Sequence, residues 1–194
     1  MDVIDFYLEL PARRLYGEVF DLHESRIGPS EAPMGSQVHK GSCLCGSIRY
    51  EITGELGDFG YCHCTMCRKA SGSAHAANSP VDRDRFRLVS GAEVIREFES
   101  SPGKFRAFCS KCGSPMFAYL TAMPDVIRIR LGSLDTAFEK RPKAHTFVGY
   151  KADWEPPILD DLPQFEEWAS KEVLDQKGSR QGAGAVRSSG ELPE

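Results

Sequence analysis

Seven cysteines gathered into three short clusters constrain this chain more than any other feature. They stand at Cys43 and Cys45, at Cys62, Cys64 and Cys67, and at Cys109 and Cys112. On an extended strand, residues i and i+2 point to one face, so a Cys-x-Cys pair can aim both sulfurs at one point. Cys-x-x-Cys does the same from a tight turn, and Gly113 follows the third cluster where a positive φ would otherwise strain the backbone. Zinc takes about four ligands in a tetrahedron, with thiolates near 2.3 Å. The first and third clusters together supply four thiolates. The second supplies three, which leaves a position for water or a substrate. Structural zinc sites are closed and catalytic ones keep an opening. Spacing alone does not force this partition. Cys62, Cys64 and Cys67 can combine with a residue of another cluster, His63 or His75 can complete the set, and a single zinc is the competing count. Packing alone is a poor reason for seven cysteines in three tight clusters.

The rest of the composition narrows the class. Of 194 residues, 41% are hydrophobic and 10% aromatic, enough for a core. The formal net charge is -4 and the pI is near 5.8, so neither a nucleic acid nor a membrane surface is an expected partner. No window approaches the roughly 18 apolar residues of a membrane helix. Asp2, Asp5 and Glu9 give the N-terminus an acidic, mixed character unlike the basic-then-apolar order of a secretion signal. The expected compartment is therefore the reducing cytoplasm, where tight cysteine spacings more often bind metal than form disulfides. The odd cysteine count agrees, since seven cannot all pair within one chain. Nothing in the sequence sets an oligomeric state.

The chain reads as three parts: an extension outside the fold over 1–36, a zinc-binding domain over 37–170, and a disordered tail over 171–194. The extension holds a helical stretch from Phe6 to Phe20 and a Gly/Pro/Ser-bearing segment after it, with Met34 as an alternative start. Within the domain the pattern is β. Ile48, Tyr50 and Ile52 alternate with Arg49, Glu51 and Thr53, the period of a half-buried strand. Residues 94–98 and 105–108 read as further strands. Ile127, Ile129 and Leu131 alternate with Arg128 and Arg130. Turn residues at short intervals suggest an antiparallel, mainly β domain. A short C-terminal helix is expected after Pro163, with Phe165 and Trp168 on one face. Trp154, Phe165 and Trp168 are expected to pack that segment onto the sheet.

At its cysteine clusters the sequence resembles the glutathione-dependent formaldehyde-activating enzyme family. The likeness runs from about Gly41 to Trp168. It is carried by Gly41-Ser42-Cys43-Leu44-Cys45-Gly46, by Cys62-His63-Cys64-Thr65-Met66-Cys67-Arg68-Lys69-Ala70-Ser71-Gly72, and by Phe108-Cys109-Ser110-Lys111-Cys112-Gly113. Leu131-Gly132-Ser133-Leu134-Asp135, His145-Thr146-Phe147-Val148 and Leu162-Pro163-Gln164-Phe165 follow in order. The resemblance implies an antiparallel β-tent fold clasped by zinc, with the structural ion on Cys43, Cys45, Cys109 and Cys112. It implies an active-site ion on Cys62, Cys64 and Cys67. It also implies carbon–sulfur lyase chemistry on a thiol and an aldehyde, joining glutathione to formaldehyde as S-hydroxymethylglutathione. Residues 1–36 depart from the usual family length, and nothing is carried onto them.

Other residues can be weighed against that chemistry. Arg68 and Lys69 directly follow the open cluster and are candidates for the glutathione carboxylates, although exposed cations are the norm. His63, between two ligands on a strand, points away from the metal and suits a packing or surface role. His75 and His145 are candidates for proton transfer. The competing function is a non-catalytic β module, braced by zinc, that contacts another protein. An enzyme needs an open position beside a pocket at Cys62, Cys64 and Cys67, whereas a scaffold would close it.

Overall fold

The structure, a computed structural model, describes residues 37–170 and 173–174. The expectations for 1–36 and for most of 171–194 fall outside the described residues. Leu174 is described; it is buried, and its backbone N–H donates to Ser170 O.

The domain is mainly β, as the period-two runs predict. A small antiparallel sheet joins β1 (Val38–Ser42), β2 (Arg49–Thr53) and β5 (Phe86–Ser90), in the order β1-β2-β5. A large sheet is built from β3 (Tyr61–Cys62), β4 (Ala76–Asp82), β6 (Ile95–Ser101), β7 (Lys104–Cys109), β8 (Pro115–Leu120), β9 (Met123–Arg130), β10 (His145–Thr146) and β11 (Gln164–Phe165). Its order is β11-β10-β3-β4-β9-β8-β7-β6. Most pairings are antiparallel; β10 runs parallel to both β3 and β11. One α-helix, α1 (Thr65–Ser71), is found among the described residues.

The alternation explains the core. Ile48, Tyr50 and Ile52 from around β2 are almost wholly buried, and so are Ile127 and Ile129 on β9. Register places Phe117 opposite Ile129 and Tyr119 opposite Ile127, so neighbouring strands send one apolar face inward. Each such side chain contributes roughly 1.5–3 kcal/mol through burial. The opposite face of the large sheet is not left to water. Lys104, Arg106 and Arg130 are themselves buried.

Among the described residues no helix forms after Pro163, contrary to the expectation. Gln164 and Phe165 pair instead with β10, His145 N–H donates to Pro163 O, and Phe147 N–H donates to Glu167 O. A helix of one or two turns nucleates poorly, while an open strand edge offers ready backbone partners. Trp168 does pack, edge-on against Phe147 with ring centroids 4.9 Å apart. Trp154, expected to pack, is 71% exposed. No helix of the described residues is long and apolar enough to cross a membrane.

Candidate metal centres and the pocket beside them

The first and third cysteine clusters meet. Cys43 follows β1 of the small sheet, and Cys109 ends β7 of the large one. The sulfurs of Cys43, Cys45, Cys109 and Cys112 all lie within 4.8 Å of one another. Cys43 and Cys45 are 3.5 Å apart, and Cys45 and Cys109 3.9 Å. A zinc tetrahedron with about 2.3 Å bonds has edges of roughly 3.8 Å, so these four donors fit the ion. The turns are shaped for it. Gly46 N–H donates to Cys43 O and Gly113 N–H to Cys109 O, at 2.9 and 2.8 Å. Both glycines adopt a left-handed φ, +72° and +74°, where a side chain would be strained. Ile48 N–H points at Cys43 Sγ from 3.3 Å, which suits a thiolate.

The middle cluster is a three-donor set. Cys62 ends β3, Cys64 caps α1 and Cys67 lies in its first turn. Cys67 N–H reaches Cys64 Sγ at 3.4 Å, and Gly72 in the left-handed conformation closes the helix by donating to Arg68 O. The three sulfurs lie within 4.8 Å of one another. The other four cysteines of the chain belong to the first group, so no fourth thiol is at hand. Hydrogen bonds from Cys62 and Cys64 pull the Cys67 thiol well below its ordinary range, and the charges of Arg106 and Arg130 add to this. Ala76, Phe147, Met66 and Trp168 pack against the trio as an apolar cluster. Phe147 is held at φ +59°, an uncommon conformation for a bulky residue.

A pocket opens beside this trio. Cys62 and Cys67 line it, with Thr146, Trp168 and Leu174. Four cations line it as well: Lys104 and Arg106 from β7, Arg128 and Arg130 from β9. Register sets Ala118 of β8 opposite both Arg106 and Arg128. Its small side chain leaves room between the two long ones. Arg130 donates to Asn78 Oδ1 at 2.7 Å and Arg106 to Ser100 Oγ at 2.8 Å. Arg130 Nε and Arg106 Nη2 remain buried without a hydrogen-bond partner. Among the described residues, no carboxylate lines the pocket. Burial, aided by Arg128 and Arg106, pulls Lys104 down to about 7. Cations gathered this way are costly unless an anion joins them.

The sequence-predicted residues sort as follows. The seven cysteines form the two groups described. Arg68 is half-buried and Lys69 exposed, both on α1, and neither lines the pocket. His63 is fully buried, and its Nε2 lies 2.8 Å from His145 Nδ1. His145 Nε2 lies 2.9 Å from Asp160 Oδ2. Burial lowers the proton affinity of His63. His75 packs against Tyr61, with centroids 4.3 Å apart and the rings tilted by 50°. Neither His75 nor His145 lines the pocket. Sequence reasoning missed Lys104 and Arg106 as site residues and read Arg128 and Arg130 only as a strand's polar face. The available signal was two cations at i, i+2 on each of two strands.

Residues 38–150 match the family model described as glutathione-dependent formaldehyde-activating enzyme. The chain belongs to that family. A protein of Halomonas elongata named as a putative glutathione-dependent formaldehyde-activating enzyme is 31% identical over 124 residues, covering 59% of this chain and 78% of that protein. An uncharacterized lyase of Schizosaccharomyces pombe is 33% identical over 82 residues, 42% of this chain and 58% of its own length. A crystal structure of a Rhodobacter sphaeroides protein aligns with 52% of this chain and 91% of that one, at 24% identity and a TM-score of 0.44. That likeness is too loose to bear on the fold. The family is named for an enzyme, and its name specifies glutathione and formaldehyde.

Proposed function

We propose that the chain is a zinc-dependent carbon–sulfur lyase acting on adducts of a small thiol with an aldehyde, S-hydroxymethylglutathione being the adduct the family name favours. The observation that carries this reading is the shared pocket: Cys62 and Cys67 of the three-thiol donor set line it together with four cations. On this reading Cys62, Cys64 and Cys67 hold one zinc, and Cys43, Cys45, Cys109 and Cys112 hold a second that ties the sheets together. When bound at the trio, zinc would supply an electrophilic centre with one position left over, and its three thiolates favour a thiol there over a carbonyl oxygen.

The remaining steps belong to the chain's own residues. Glutathione carries two carboxylates and one ammonium group. Arg106 and Arg130, with buried N–H groups lacking partners, together with Lys104 and Arg128, would hold the carboxylates and so fix where the thiol lies. Trp168 and Leu174 would limit water there. In the joining direction the sulfur lone pair forms the C–S bond. The carbonyl π pair moves to oxygen, and the thiol proton ends on that oxygen. The lyase direction reverses each change. Free thiols persist in a reducing compartment, and all seven cysteines are unbridged, which suits a cytoplasmic site of action.

The test is exchange spectroscopy on glutathione, formaldehyde and their adduct, alongside zinc analysis of the same sample. The expected result is two zincs on the cysteines and exchange accelerated at least ~100-fold over buffer, the scale on which positioned catalytic groups act. Cysteamine, a thiol without carboxylates, should be a much poorer partner. Two zincs with no acceleration for any thiol–aldehyde pair would favour the zinc-braced β module.

A further inference from the structure

A third group of donors lies outside both cysteine clusters. His63, His75 and Glu155 each offer one ligand atom, and these atoms lie within 4.8 Å of one another. His63 stands between Cys62 and Cys64, and its side chain meets Glu155 and His145 rather than the cysteine sulfurs. His75 lies just before β4, and Glu155 lies in the loop after β10.

The donor and acceptor pattern suits a cation. Asp160 accepts from His145, so His145 carries its proton on Nε2 and, as a neutral ring, offers a lone pair at Nδ1. His63 Nε2 sits 2.8 Å from that lone pair and must donate to it. The proton of neutral His63 is then spent, and its Nδ1 is a lone pair. That lone pair faces Glu155 Oε2 at 3.3 Å. Two acceptors face each other across a buried gap. The third member repeats the shortage. His75 Nδ1 is buried without a hydrogen-bond partner, 3.8 Å from Glu155 Oε1.

The distances suit a metal better than a direct bond. A charge-assisted N–H···O bond is usually about 2.7–2.9 Å. Two ligands each about 2.0–2.1 Å from a tetrahedral ion stand roughly 3.3–3.4 Å apart, close to the 3.3 Å seen between His63 Nδ1 and Glu155 Oε2. The outer contacts also fit. A ligating imidazole typically donates its second N–H to an oriented partner, which fixes the ring. His63 does so to His145, and Asp160 orients His145 in turn.

We propose that His63, His75 and Glu155 form a third metal site, for zinc or a similar divalent transition ion, separate from both thiolate groups. Two imidazoles and a carboxylate leave at least one position open to water or a small oxygen ligand. Held by His63, between Cys62 and Cys64, the ion would brace the segment that carries the trio.

The test uses the full chain with its thiolate sites zinc-loaded, titrated with cobalt(II). The expected result is one further cobalt per chain, with visible ligand-field bands but no sulfur-to-cobalt charge transfer in the near ultraviolet. His75→Ala and Glu155→Gln should each weaken this cobalt at least tenfold, with circular dichroism and thiolate-site zinc unchanged. Three outcomes would overturn the proposal: no cobalt beyond the thiolate sites, cobalt bound only with sulfur bands, or binding indifferent to both substitutions. The first would mean that a second proton on the His63–His145 pair fills the gap instead. These readings do not depend on lyase activity, so failure of the proposed reaction would leave them standing.

Discussion

The two cysteine groups share one chemistry and differ in what surrounds them. Cys43, Cys45, Cys109 and Cys112 come from two different sheets, and their fourfold set is complete. Cys62, Cys64 and Cys67 come from a single strand–helix turn and stop at three. The first group is framed by backbone turns, glycines and N–H donors. The second faces a pocket with four cations. On the proposed reading, a set that joins distant segments would hold them together, because the loop it closes spans about half of the domain. A set drawn from one turn would add little to the overall fold and be free to face a ligand.

The sharpest way to break this comparison is to remove a thiol that ties the sheets. Cys109→Ser should lower stability by roughly 3 kcal/mol or more, since metal binding at such a site is part of the folding free energy. Urea unfolding with and without chelator would measure it. A loss under about 1 kcal/mol would mean that the four-thiol group is not a brace.

The cationic wall gives the next largest effect. Arg106→Met or Arg130→Met should raise KM for a carboxylate-bearing thiol about 10- to 100-fold, the scale of a lost charged hydrogen bond at ~1.5–3 kcal/mol. Steady-state rates with glutathione and cysteamine would separate the two cases, because the cysteamine rates should barely move. Equal losses for both thiols would assign the arginines to something other than carboxylate binding.

How much of this was legible in the sequence follows from where each residue's information lies. The strands around Ile48–Ile52 and Ile127–Ile129 were readable because an apolar face leaves a local period. The cysteine groups were readable because metal-ligand spacing is local within each cluster; their partition into four and three rests on contacts across the fold. The cationic wall was not readable. Arg128 and Arg130 look like the wet side of a strand until the fold brings Cys62, Cys67 and Thr146 to the same pocket. Glu155 and Asp160 sit in a loop without periodicity, and only the fold brings them to His63 and His145. The missed C-terminal strand has the same origin: the pairing edge of β10 is a tertiary fact, invisible around Pro163.

Smaller effects sharpen the role of Lys104. Burial pulls it down to about 7, so its positive charge fades as pH rises through that value. Affinity for an anionic thiol should therefore fall by up to about tenfold between pH 6 and pH 8.5, as calorimetry with a non-reactive S-methyl glutathione would record. Lys104→Met should flatten that profile. The stability effect runs the other way. An unfolded lysine keeps its proton to about pH 10.4, so between about 7 and 10.4 the unfolded chain binds more protons and stability rises with pH. Below 7 the whole penalty is present. Lys104→Met should thus stabilise the ligand-free protein at pH 6, with the gain shrinking steadily toward pH 10. A destabilised variant at pH 6 would show that the ammonium already has a stabilising partner.

The division of labour between the cysteine groups is tested most directly in the double variant Cys62→Ser/Cys67→Ser, with zinc content, glutathione–formaldehyde exchange and thermal unfolding measured on one preparation. The account predicts one zinc fewer than in the unaltered chain, exchange reduced to its rate in buffer, and an unfolding midpoint within a few degrees of the original. Exchange that survives loss of that ion, or a fold that collapses with it, would contradict the account.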